Sequence, residues 1–224
     1  MAGLATRGAK TGSAWPFSVS HRPSDDAGWV ELLAGGLTFD LSGLAPAVPA
    51  PAAPQRHRFA LGEAELGLEA VSLVPGAHLA GGEALLPIVR MMTGLAVTLA
   101  SLPGVVAVAW HPARSWIERQ YFIRVAVSWL GGGAFPALGL TALVRDPGGL
   151  LRSEGLSFFT GQEIAIAAPA EDDPGDVAKL GIRLIHRLVE VGTIREETEF
   201  PTDDGGSVRV VPGRDHRTLH VLRR

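Results

Sequence analysis

Apolar positions recur along this chain with helical spacing in some segments and strand-like alternation in others. Residues 15–21 and 29–41 read as short strands around a polar turn at 23–27, and 57–61 and 66–74 as further strand candidates. Leu85, Ile88, Val89, Met92, Leu95, Ala96 and Leu99 fall at helical spacing, which predicts a helix over 83–102. The β-branched run 105–110 follows it as a strand, so strand–helix–strand suggests a right-handed crossover within one sheet.

Residues 121–129 alternate like a strand. Ser115-Trp116-Ile117-Glu118 spells a capping box, however, and Gly131-Gly132-Gly133 a stop, so the ends predict a helix over 115–130. Residues 138–144 and 150–159, joined by Asp146-Pro147-Gly148-Gly149, predict a hairpin, and 163–168 continues the sheet. A third helix starts at the cap Asp173 with Pro174 in first position and stops before Gly192. Leu180, Leu184, Leu188 and Val191 form its apolar face, opposite Lys179, Arg183, His186, Arg187 and Glu190. Strands at 207–211 and 218–222 close the chain. The expected fold is α+β: a mixed, largely antiparallel sheet with three helices in two layers. Residues 1–14 are expected to be a flexible tail, and 15–224 a single domain with an extended, exposed Pro/Ala-rich loop at 43–55.

Composition narrows the function classes. The 224 residues are 46% hydrophobic and 19% charged, a globular balance long enough for a sizeable core. The net charge of −3 argues against non-specific nucleic-acid binding. With no cysteine, disulfide scaffolds, thiolate metal sites and cysteine nucleophiles are all excluded. Residues 91–109 carry no charge and approach the length of a membrane span, but Leu102-Pro103-Gly104 breaks them into helix and strand. The N-terminus has no apolar run of signal length, so a cytoplasmic location is expected.

Most motifs fail on inspection. Gly3 to Thr11 resembles a phosphate-binding loop, but Ala9 is inserted before Lys10 and no strand precedes it. Gly155-Leu156-Ser157-Phe158-Phe159 starts like a nucleophile elbow and has Phe159 where glycine is required. His186 and Glu190 are four apart but belong to the polar face of their helix. Two signals survive. His111 ends a buried strand, where a general base can sit. Arg152, Glu154, Gln162 and Glu163 crowd polar and charged groups between apolar strands, where they need partners. Paired carboxylates beside an arginine bind polar ligands, perform acid–base chemistry, or brace a fold.

The segments Leu86-Pro87-Ile88-Val89-Arg90, 104–113, Phe135-Pro136-Ala137-Leu138-Gly139-Leu140, Ser153-Glu154-Gly155-Leu156 and Phe159-Thr160-Gly161-Gln162-Glu163 resemble an uncharacterised bacterial family, the domain of unknown function 4261. The resemblance spans about residues 66–195. It implies a bacterial, intracellular, stand-alone domain and brings no activity, cofactor or catalytic residues.

The leading expectation is a non-enzymatic intracellular binding or interaction module, with His111, Arg152, Glu154, Gln162 and Glu163 as candidate ligand-binding residues. One alternative is a small hydrolase or lyase using Glu154, Glu163 and His111; another is an immunity-type or adaptor protein that sequesters one partner. No cofactor and no metal are expected. The expected partner is an unknown protein or small-molecule ligand, with a homodimer allowed, and neither nucleic acid nor membrane.

Overall fold

A computed structural model describes residues 17–62, 68–167, 172–202 and 205–223. The expected tail over 1–14 lies outside them, as do parts of the strands expected at 15–21, 66–74 and 163–168. The chain opens with strands β1 (Phe17–His21), β2 (Trp29–Ala34) and β3 (Leu37–Ser42). Gly35 and Gly36, both at positive φ, fold the expected single strand 29–41 into the β2–β3 hairpin. Then follow β4 (His57–Phe59), β5 (Ser72–Pro75), α1 (Leu86–Ala100), β6 (Ala107–Trp110), β7 (Ser115–Glu118) and α2 (Arg119–Leu130). The second half runs α3 (Ala137–Leu140), β8 (Ala142–Arg145), β9 (Leu150–Glu154), α4 (Ser157–Thr160), β10 (Glu163–Ala167), α5 (Pro174–Val191), β11 (Thr198–Pro201), β12 (Ser207–Pro212) and β13 (Thr218–Arg223).

The architecture is α+β, and its strands form three sheets rather than the one expected. One is antiparallel, in the order β1-β2-β3-β5; a second runs β11-β12-β13-β10-β9-β8; a third, smaller one runs β4-β7-β6. Pairing is antiparallel except at β10–β13 and β4–β7. The anticipated crossover is absent, because β5 and β6 on either side of α1 belong to different sheets. The three long helices α1, α2 and α5 are joined by two four-residue helices, α3 and α4, where only strand was expected.

α1 is buried on two sides. Ile88, Met92 and Leu95 pack with Leu32, Phe39 and Leu41 of the first sheet, while Val89, Val97 and Ala100 join the larger core around α2 and α5. That double burial accounts for the uncharged stretch; among the described residues no helix is long and apolar enough to cross a membrane. α5 buries Val177, Gly181, Leu184, Ile185 and Leu188, whereas Leu180 is half-buried and Val191 is exposed.

The helix expected over 115–130 is a strand followed by a helix. Residues 115–117 pair on both sides, with β6 and β4, and Glu118 with β6 alone, which satisfies their backbone groups more fully than a first helical turn would. Glu118, expected inside the helix, is its N-cap: its carboxylate accepts from the backbone N–H of Gln120 and Tyr121, each at 2.7 Å. The Pro/Ala-rich loop is not wholly exposed either. Ala53 is buried, and its carbonyl accepts a 3.1 Å hydrogen bond from Trp116 Nε1.

Candidate functional site

β9 is a strand with one face inward, and its alternation separates the polar residues that crowd its end. Leu151 and Ser153 point into the core, while Arg152 and Glu154 point the other way into a cleft of about 710 Å³. Three other segments reach that cleft. Arg56 and His57 come from the start of β4; His111, Pro112 and Arg114 from the turn between β6 and β7; and Arg145, Asp146 and Pro147 from the β8–β9 turn. Gly155 closes the turn after β9 at φ +91, with its α-carbon so near Ala113 that a β-carbon would lie 2.9 Å from the Ala113 Cα. That approach holds residues 111–114 against the end of β9.

Glu154 is the hub. His57 Nε2 lies 2.5 Å from one carboxylate oxygen, and Arg114 Nε donates to the other. The Arg56 guanidinium stands 3.9 Å away. Since the carboxylate can only accept, the His57 proton sits on Nε2. Partial burial pushes the Glu154 carboxyl up, but the hydrogen bonds from His57 and Arg114 and their charge more than offset it, so its pKa lies below the usual value. Arg114 is held at φ +48, a region non-glycine residues seldom enter. Its backbone is clamped there: its N–H donates to the His111 carbonyl, and its own carbonyl accepts from the N–H of Arg56 and of His57.

Arg152 does not meet Glu154 or Glu163. It donates to Asp146 at 2.7 Å, and this hydrogen bond holds the Asp146 carboxyl below the usual range. Glu163, at the start of β10, turns its carboxylate onto the turn after β9. It accepts from the backbone N–H of Gly155 (2.9 Å), Leu156 (3.2 Å) and Ser157 (3.0 Å) and from the Ser153 hydroxyl. Ser153 Oγ in turn accepts from Ile164 N–H at 2.9 Å. Around Glu163 the segment is thus braced by backbone donors and the Ser153 hydroxyl, whereas Glu154 and Arg152 are held by ion pairs with Arg114 and Asp146.

His111, Arg152, Glu154 and Glu163 therefore share one cleft. Gln162 does not line it. Its side chain is buried elsewhere, donating to the carbonyls of Ile194 (2.9 Å) and His216 (3.1 Å) and accepting from Ile194 N–H at 2.8 Å. It ties β10 to the segment after α5 and to the β12–β13 turn.

Sequence reasoning missed Arg56, His57, Arg114 and Asp146. The one available signal was Arg56-His57-Arg58, three basic residues opening a strand candidate. Nothing local links His57 to Glu154, 97 residues away. His186, set aside as a metal ligand, accepts from Phe135 N–H at 3.1 Å and lies 3.4 Å from Glu190. Among the described residues no group of three or more His, Cys, Asp or Glu side chains has the geometry to hold a metal ion.

No family model, no curated protein and no solved structure matches the chain.

Proposed function

We propose that this protein is a non-enzymatic binding module whose cleft takes a small anionic ligand bearing a carboxylate or phosphate group. One observation carries the reading. Four arginines, Arg56, Arg114, Arg145 and Arg152, and two histidines, His57 and His111, line a single cleft in a chain whose net charge is −3. Of the three carboxylates there, Glu163 is spent on backbone donors and the Ser153 hydroxyl. That leaves Asp146 and Glu154 against the guanidinium groups of Arg56, Arg114 and Arg152. Guanidinium forks match carboxylate and phosphate oxygens in pairs, and a concave, like-charged site concentrates the opposite ion. The left-handed backbone of Arg114 supports the same reading, since such strain tends to collect at ligand clamps.

A second reading, a hydrolase or lyase using Glu154, Glu163 and His111, is favoured by the presence of all three in the cleft. It is the weaker one. A general acid or base works best with a pKa near the operating pH, and that of Glu154 is displaced in the opposite direction. Membership of the uncharacterised bacterial family, with its cytoplasmic setting, belongs to the proposal too and rests on the motifs quoted above.

Titration of pyrophosphate and of citrate into the full chain at low ionic strength, followed by calorimetry, tests the reading. Binding that weakens with salt and with Arg56→Ala supports it. Glu154→Gln should strengthen binding severalfold by releasing Arg114. Absence of binding by either anion at millimolar concentration, with Glu154→Gln no tighter, overturns it.

A further inference from the structure

Two sheets stop short of each other above α1. β5 ends the first sheet and β6 ends the smallest, so each is an edge strand paired on one side only. An apolar cavity of about 400 Å³ lies between them, floored by Met92, Thr93, Ala96 and Leu99 of α1. It touches every residue of 70–75 and of 107–112. Successive strand residues point to opposite faces. A cavity that meets all of them in turn therefore runs along the two strand edges, not over one face.

Register decides which backbone groups face this slot. Along an antiparallel pair, residues that hydrogen-bond to the partner alternate with residues whose N–H and C=O point away from it. Gly76 N–H donates to the Thr38 carbonyl, which puts Val74 and Ser72 in the set bonded to β3 and turns Leu73 outward. Arg119 N–H donates to the Val106 carbonyl, so Val108 and Trp110 bond to β7, and Ala107 and Ala109 turn outward. Among the described residues no strand pairs with either free edge. Leu73 from one side, and Ala107 and Ala109 from the other, thus hold backbone donors and acceptors toward one slot. Unpaired edges of this kind are templates for a further chain. His111 and Pro112, which follow β6, line both the slot and the Arg-lined cleft, so the cleft lies at the carboxyl-terminal end of β6.

We infer that the slot binds the extended carboxyl terminus of a partner protein, added as a strand between β5 and β6, with its terminal carboxylate in the Arg-lined cleft. This rests on the anion reading of that cleft and names its ligand. Charge complementarity selects the occupant: the slot offers apolar walls and backbone groups, and the cleft beyond it offers Arg114 and Arg56. A terminal carboxylate leaves the slot along the strand axis, toward the cleft, whereas an acidic side chain points across the sheet. The bound terminus therefore runs parallel to β6. Main-chain hydrogen bonds give such strand addition its affinity, and alternate side chains give it selectivity.

The probe is the peptide acetyl-Ser-Val-Thr-Val-Ser-Val with a free carboxylate, titrated into the full chain by calorimetry. It is compared with its carboxyl-terminal amide and with a version N-methylated at two successive central residues. Hydrogen exchange is read at the Leu73, Ala107 and Ala109 amides. These should exchange fast in the free chain and become protected with the free-acid peptide. The amide should bind about tenfold more weakly, the size of a hydrogen bond to a charged group. The N-methylated peptide, which loses one donor toward each edge, should weaken by about tenfold or more. Ala109→Pro removes an N–H that faces the slot, a change an edge strand tolerates, and should weaken binding about fivefold. The peptide comparisons carry the test if that variant does not fold. Equal affinity of acid and amide, no protection, or no peptide binding overturns the inference; if pyrophosphate and citrate still bind, the anion reading of the cleft stands. Protection of the three amides in the free chain would give the slot to residues 1–16 or to a second copy, and overturns it too.

Discussion

Trp110 and Ser115 stand directly opposite each other across β6 and β7, and each carries a buried polar atom with no hydrogen-bond partner among the described residues. His57 is the register partner of Ser115 on its other side, so one row across the small sheet joins the Arg-lined cleft to the apolar cavity. Unpaired buried groups weaken a fold, and removing them relieves the cost. Ser115→Ala should therefore raise stability by about 1 kcal/mol in urea unfolding, toward the low end of the penalty for an unmade hydrogen bond. A clear loss of stability would mean that the hydroxyl has found a partner in solution.

Gly155→Ala should be severely destabilising. The residue sits at φ +91, and its new β-carbon would meet the Ala113 backbone at 2.9 Å, which cannot swing aside as a flexible side chain would. The strained backbone and the overpacking each cost about 1–3 kcal/mol. The same change should loosen residues 111–114, so hydrogen exchange at Arg114 should quicken. Unaltered melting and exchange would show that the close approach is not maintained.

Glu163→Ala should cost about 3 kcal/mol or more, because it strands several backbone N–H groups, each at roughly 1–3 kcal/mol when left unpaired and buried. Arg152→Ala, whose partner Asp146 is on the surface hairpin, should cost under about 1 kcal/mol. The contrast, read by chemical denaturation, distinguishes a brace built on backbone donors from one built on the Arg152 ion pair.

Acid should weaken the Glu154 cluster. The folded-state pKa of this carboxyl lies below its ordinary value, so the charged form is favoured by folding. Its contribution is complete above the ordinary glutamate value of about 4.3 and is lost as pH falls through the lower folded value. The stability difference between wild type and Glu154→Gln should thus shrink as pH falls through and below that range. A difference that stays constant in acid would remove Glu154 from the pH response.

Leu184→Ala should cost about 2–5 kcal/mol by opening a cavity beneath α5, since Leu184 is only 3% exposed within the main core. Val191→Ala, at the exposed end of the same helix, should stay within about 0.5 kcal/mol. Equal effects of the two would contradict the packing of α5.

Elements whose signals are local were legible in the sequence. α5 carries its start and stop within its own residues: Asp173 accepts from Gly175 and Asp176 N–H, Pro174 opens the helix, and Gly192 follows it at positive φ. The β8–β9 hairpin announces itself in Asp146-Pro147-Gly148-Gly149, and Asp146 indeed accepts from Leu150 N–H. The crowded polar residues at 152–163 implied a satisfied network, because buried polar groups need partners wherever they fall. What the sequence could not express was pairing between distant segments. Ser115-Trp116-Ile117-Glu118 has the residues of a helix start, yet strands on both sides claim its backbone and move the cap to Glu118. His57 and Arg114 meet Glu154 across 97 and 40 residues, and Glu163 chooses backbone donors over Arg152. Each of these choices depends on which surfaces approach once the three sheets close on α1 and α5. Local periodicity determined the elements; tertiary packing decided which donors and charges could reach one another, because hydrogen bonds act over about 3 Å while the sequence records only separation along the chain.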